Sequence, residues 1–311
     1  MAPASALAAD RAPRRRAVWS IGLYAGRSPL SLRPLPGNPV LTAEDVSDVP
    51  ALFVADPFLL RRGGVWHLFF EVLDGSTGRG AIGWATGRPG GRWRYERIVL
   101  REPFHLSYPC VFASGDEVYM TPESCEAGAV RLYRAVRFPT LWQPVAELVG
   151  GRLADPTPFA AGGRWWMFAC PAPETHDALR LYGAAALPGP WREHPTSPIV
   201  RDDPGWARPA GPPVRDGDGW LRFAQDCTTT YGRQVRAIRI AELDPERYAE
   251  RPCAGGPVLA PGEARWNAHR AHHLDAHRLS GGRWVACVDG AREPAASGTL
   301  ASHPHSNRSR R

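Results

Sequence analysis

ADPFLLRRGGVWHLFFE (55–71), YPCVFASGDEVYMTPE (108–123), ADPTPFAAGGRWWMFAC (154–170), RPAGPPVRDGDGWLRFAQD (208–226) and LDAHRLSGGRWVACVD (274–289) stack into one pattern. A proline stands at 57, 109, 156 and 209, and Asp275 takes its place in the fifth copy. An aromatic follows nine to eleven residues later: Trp66, Tyr119, Trp165, Trp220 and Trp284. A Gly- or Asp-rich turn lies between, so each copy reads as a β-hairpin. Trp93, Trp142 and Trp191 repeat at 49-residue intervals after strand-like runs such as GAIGWAT, VRLYRA and LRLYGA, which adds a second hairpin per repeat.

Four strands at a period near 50 residues describe the blade of a β-propeller. Five blades fit. The fifth hairpin is followed by a polar tail, whereas SIGLYAG…NPVLT (20–42) near the N-terminus reads as an unpaired outer half. The fold expected is all-β, a five-bladed propeller over 18–290, closed by that N-terminal segment so that no sheet edge is left open. Gly and Pro, 32 of each, make about a fifth of the chain where roughly 12% is usual, which suits many short strands and turns.

The charge points away from nucleic acid. Of 311 residues, 38 are basic, all of them Arg, against 31 acids, a formal net charge of +7. Residues 1–17 and 291–311 each carry four Arg and one acid and are expected to be disordered basic tails. The body between them is close to neutral, and a nucleic-acid-binding domain concentrates its cations on the folded body. No apolar run approaches the ~18 residues of a membrane span. Six scattered cysteines without CxxC spacing read as free thiols of a cytoplasmic protein.

First strands of propeller blades line the axis and their entrances converge on one mouth. The position before the repeat proline is Asp56, Tyr108, Asp155 and Arg208, and blade five offers His272, His273 and Asp275 there. Fourteen residues past the proline or its equivalent stand Glu71, Glu123, Cys170 and Asp289, with Asp226 as a looser match in blade four. Any one such acid could simply cap a local turn. So many at one mouth is better explained by a polar ligand site, because carboxylates near each other and near Arg separate their pKa values for acid and base work. WNAHRAHHLDAH (266–277) matches no zinc spacing. Axis-lining and substrate-contacting histidines rank above metal ligands. No cofactor is expected, an axial divalent ion such as calcium being the alternative.

WSIGLYAG, NPVLTAEDV, FVADPF, EPFHLSYPCVF, TPES, ARPAG, FAQDC and HHLDAH resemble the N-terminal propeller module of plant glucosamine inositolphosphorylceramide transferases over residues 18–290. In those enzymes a glycosyltransferase domain follows the propeller, and this chain reads as a stand-alone form. The architecture is also similar to glycoside hydrolase families 43, 32 and 68. That resemblance implies Asp56 as base or nucleophile and Asp155 as modulator of pKa. It also implies an acid before a proline in blade four, where Ala207-Arg208 stands instead. Glu123 or Asp226 is the expected substitute. Tyr108, His105, Arg208, His272, His273, Asp275 and Glu71 are the expected substrate contacts.

Two functions follow: a monomeric glycosidase or transglycosylase acting on a sugar or glycoconjugate, or a non-catalytic glycan-binding propeller serving a separate glycosyltransferase.

Overall fold

The computed structural model describes residues 17–293 except Ala172 and Asp218. The expected tails lie outside the described residues apart from Ala17 and the short run 291–293. Five four-stranded antiparallel sheets form the five blades of a propeller. Blade one comprises β3 (Ala51–Arg62), β4 (Val65–Asp74), β5 (Arg79–Gly87) and β6 (Arg94–Leu100). Blade two holds β7 (Ser107–Ser114), β8 (Glu117–Glu123), β9 (Ala129–Arg137) and β10 (Leu141–Gly150). Blade three is β11 (Ala154–Ala161), β12 (Arg164–Cys170), β13 (Arg180–Ala184) and β14 (Arg192–Glu193). Blade four is β15 (Val214–Asp216), β16 (Gly219–Asp226), β17 (Gln234–Leu243) and β18 (Tyr248–Pro252).

Blade five is composite. Its inner hairpin, β19 (Leu274–Arg278) and β20 (Trp284–Arg292), comes from the end of the chain. Its outer half, β1 (Val18–Gly26) and β2 (Leu32–Pro34), comes from the beginning. β1 pairs with β20 over nine consecutive positions, from Val18 opposite Arg292 to Gly26 opposite Trp284. The ring therefore closes as the sequence pattern required.

The core is a set of layers between blades. Phe58, Phe69 and Ile82 of blade one interleave with Val111, Met120 and Tyr133 of blade two. Ile21, Leu23 and Val285 of blade five meet Val54 and Leu68 of blade one. Because both faces of each sheet are covered, strands such as β4 are apolar on both sides. Each fully buried Leu or Phe contributes roughly 1.5–3 kcal/mol, so adjacent blades hold one another in place.

The repeat prolines mark a local device. In β3, Asp56 and Pro57 lie opposite Phe70 alone, because pairing jumps from Ala55–Glu71 to Phe58–Phe69. The same jump occurs at Tyr108-Pro109 and Asp155-Pro156. Proline has no N–H for the ladder and is accommodated in a bulge. The preceding residue takes a left-handed conformation: φ is 51° at Asp56, 44° at Tyr108 and 49° at Asp155. Such a backbone costs a non-glycine residue about 1–3 kcal/mol and persists only where its surroundings hold it. Three strained residues on three neighbouring blades thus face one end of the axis.

Candidate active site

Each bulge is held from the next blade. The backbone N–H of Asp56 donates to Asp289 Oδ2 at 3.1 Å, that of Tyr108 to Asp56 Oδ2 at 3.2 Å, and that of Asp155 to Glu123 Oε2 at 3.1 Å. A carboxylate of blade five therefore supports blade one, one of blade one supports blade two, and one of blade two supports blade three. The turn-capping role of these acids is real, but it crosses between blades. Asp289 spends both oxygens on it, Oδ1 accepting from the His272 and His273 N–H groups, whereas Asp56 and Glu123 spend only Oδ2 and Oε2 on backbone N–H groups.

Two clusters result. In the first, His272 Nδ1 lies 2.6 Å from Asp289 Oδ2, and its Nε2 lies 3.7 Å from Asp56 Oδ1. Trp19, from the N-terminal strand, stacks on the imidazole with centroids 4.0 Å apart and planes at 20°. Burial opposes protonation of His272, but Asp289, Asp56 and Asp155 outweigh it and raise its pKa to about 9. Burial pushes the Asp56 carboxyl well above the usual carboxylate range; His272 opposes this, while Glu71, Asp289 and Asp155 add to it.

In the second cluster Arg208 forms a fork on Asp155, with Nε 2.6 Å from Oδ2 and Nη2 3.4 Å from Oδ1. Nη2 also reaches Glu123 Oε2 at 3.4 Å, and Nη1 lies 3.0 Å from His176 Nδ1. Gln225 Nε2 donates to Asp155 Oδ2 at 2.8 Å. Burial, reinforced by Asp155 and resisted by Arg208, raises the Glu123 carboxyl to about 8. Glu123 is thereby pushed toward the protonated form, the state a proton donor needs.

Other expected site residues are placed differently. Tyr108 is fully buried and plugs the axis: its hydroxyl accepts from Gly211 N–H at 2.8 Å and lies 2.9 Å from Thr157 Oγ1, tying blade two to blades four and three. His273 packs against Phe58 and Tyr108, and burial pushes it down to about 4, so it is neutral. Asp275 accepts from Leu59 N–H at 2.7 Å and lies 2.9 Å from His277 Nε2, serving the joint between blades five and one rather than the mouth. Asp226 accepts from Thr228, Gln234 and Arg236 side chains; although burial opposes ionisation, these bonds hold it down at about 2. Such a group does not donate a proton near neutrality. Glu71 and His105 form a pair on the blade-one side, Oε1 to Nε2 3.2 Å.

Several residues of the site carry no signal in the repeat pattern. Trp19, His176 and Tyr231 come from outside the inner hairpins. Arg208 lies over the Tyr231 ring at 5.1 Å, and His272 meets it edge-on at 5.2 Å. Asp289 lay in the strand-end register of the repeats, but its bond to His272 needed the fold. Asp56, His272 and Asp289 form the set of buried donors among the described residues with ligand atoms within 4.8 Å of one another. Two carboxylates and one imidazole suit calcium poorly, since that ion takes six to eight oxygen ligands.

Fold and mouth together define a closed five-bladed propeller with buried acid and base groups at one end of its axis, a carbohydrate-related class. Residues 12–291 match the family described as glucosamine inositolphosphorylceramide transferase 1, N-terminal, and the chain belongs to that family. The glucosamine inositolphosphorylceramide transferase 1 of Oryza sativa subsp. japonica is 38% identical over 91% of this chain, which spans 41% of that relative's length. Among solved structures, the β-1,2-mannobiose phosphorylase of Listeria innocua is similar with a TM-score of 0.63 at 14% identity, over 86% of this chain and 96% of that one. The catalytic domain of the Coprinopsis cinerea GH62 α-L-arabinofuranosidase gives 0.56 at 13% identity, over 76% and 90%. These structural likenesses establish the shared fold.

Proposed function

We propose that this propeller binds a sugar or glycoconjugate at its mouth and performs acid–base chemistry on a glycosidic bond, with Glu123 as proton donor, Asp56 as base or nucleophile and Asp155 tuning both. The observation that carries this reading is the convergence of Asp56, Asp155 and Glu123 with His272 and Arg208 at one end of the axis. Asp155 is a cause common to the elevation of Asp56 and Glu123, while His272 and Arg208 counter it on opposite sides. Glycoside chemistry needs one carboxyl group protonated and one ionised, so Glu123 serves as the donor and Asp56 as base in the state in which His272 holds the proton of their pair. Arg208 occupies the place of the expected blade-four acid and turns Glu123 and Asp155 toward one another. The name of the rice relative makes glucosamine and an inositol phosphate headgroup the first candidate ligands.

One observation favours a second reading, a glycan-binding propeller that partners a separate glycosyltransferase. The Arg208 fork neutralises Asp155, and three carboxyl groups already spend an oxygen on a neighbouring blade. Turnover of aryl glycosides and binding of soluble sugars by wild type and Asp56→Asn separate the two. Wild-type turnover lost by a factor of about 100 or more in the variant supports acid–base chemistry. Binding without turnover supports the second reading, and equal turnover by both proteins removes Asp56 from the mechanism.

A further inference from the structure

Tyr231 sits in the loop between β16 and β17, and three charged or titratable neighbours grip its ring. The Arg208 guanidinium lies over it at 5.1 Å, His272 meets it at 5.2 Å and 89°, and His176 at 5.1 Å and 41°. The adjacent Gly232 has φ +62°, and a Cβ there would stand 2.6 Å from His272, so the loop is seated directly on the blade-five histidine. Gly232 N–H also donates to Cys227 Sγ at 3.4 Å, which fastens the loop from its other end. The ring thus bridges the His272–Asp289–Asp56 cluster and the Arg208–Asp155–Glu123 cluster.

Its hydroxyl is used by neither. Tyr231 is half-buried, and its hydroxyl, bonded to none of the described residues, is not among their sealed unpartnered polar atoms and so is open to solvent. The contacts of the ring with Arg208 on one side and His272 on the other set the phenol beside both clusters. The ring contacts would be served equally well by Phe. A phenol that no protein group engages is free to donate to a ligand that displaces its water. Tyr108 offers the contrast, since its hydroxyl is consumed by Gly211 and Thr157 and is sealed from the mouth.

We propose that Tyr231 is a ligand-contacting residue whose phenol donates a hydrogen bond to a sugar hydroxyl held between Asp56 and Glu123. The inference rests on the sugar-binding reading of the mouth and adds a specificity determinant from outside the repeat hairpins. A pocket that offers a hydrogen-bond donor to one substrate hydroxyl rejects the analogue lacking it. Selection among sugars would then come from a blade-four loop, while the inner strands supply the acid and base.

The experiment measures affinities by titration calorimetry for glucosamine, the other common hexoses and their monodeoxy analogues, using wild type, Tyr231→Phe and Asp56→Asn. Tyr231→Phe is expected to bind the preferred sugar about tenfold more weakly at an unchanged melting temperature. One monodeoxy analogue should lose about tenfold with wild type and nothing further with Tyr231→Phe. Unaltered affinity in Tyr231→Phe while Asp56→Asn loses binding overturns this inference alone. A lowered melting temperature in Tyr231→Phe, with every deoxy analogue discriminated as in wild type, assigns the hydroxyl a structural role and overturns it as well. Failure of wild type to bind any of the sugars overturns both the inference and the reading beneath it.

Discussion

Glu123 shows how one side chain acquires its chemistry from neighbours on other blades. Its carboxyl is raised to about 8 by burial and by Asp155, and only partly relieved by Arg208. The group keeps its proton below that pH, so turnover that depends on it should fall as pH rises through about 8. Stability follows the same proton. The folded state holds it more tightly than the unfolded chain, whose pKa is near 4.5, so this stabilisation is full below about pH 4.5 and is lost as pH climbs through about 8. Gln at 123 does not titrate and still offers an oxygen to Asp155 N–H. Melting temperatures of wild type and Glu123→Gln between pH 5 and 9.5 should therefore diverge in favour of the variant at the alkaline end. A constant difference across that range would show that Glu123 is ionised throughout.

At the scale of the element, the proline bulge is the unit that makes the site. It leaves one residue unpaired, rotates it into the left-handed region and aims its side chain or its N–H at the neighbouring blade. The three bulges differ in what they contribute. Asp56 and Asp155 supply carboxyl groups to the mouth, while Tyr108 turns inward and sends its hydroxyl across the axis. Removing that hydroxyl would leave Gly211 N–H buried without its acceptor. Tyr108→Phe should cost about 1–3 kcal/mol, measured as a lower urea midpoint at unchanged slope. An unshifted midpoint would mean that the axis tolerates the loss. The prolines were legible in the sequence and so were the acids at matching offsets. The side-chain direction that sets Tyr108 apart from Asp56 was not, because both precede proline and take the same left-handed backbone, and only packing on the axis separates them.

For the whole molecule, closure and function share a strand. β1 covers the edge of β20 along its full length, and the same strand brings Trp19 onto His272. A chain lacking residues 1–34 would leave that edge open and Ile21 and Leu23 absent from the layer between blades five and one. It should lose its cooperative thermal transition in circular dichroism. A sharp transition within a few degrees of the full chain would show that four and a half blades suffice.

The five repeats, the turn residues and the unpaired strand at each end of the pattern determined the propeller and its manner of closure. Apolar runs and glycine turns act locally, and a ring of like units admits one way of pairing the leftover strands. The positions of the ring of acids were determined in the same way, because register fixes which residues end a strand. Their roles were not. Only the tertiary structure brought His272 to Asp289, placed Arg208 between Asp155 and Glu123, and sent Asp226, Asp275 and His273 to other work. Charge, burial and hydrogen bonding between blades depend on distances of a few ångströms between residues as far as 233 positions apart in the chain, and no local pattern encodes those.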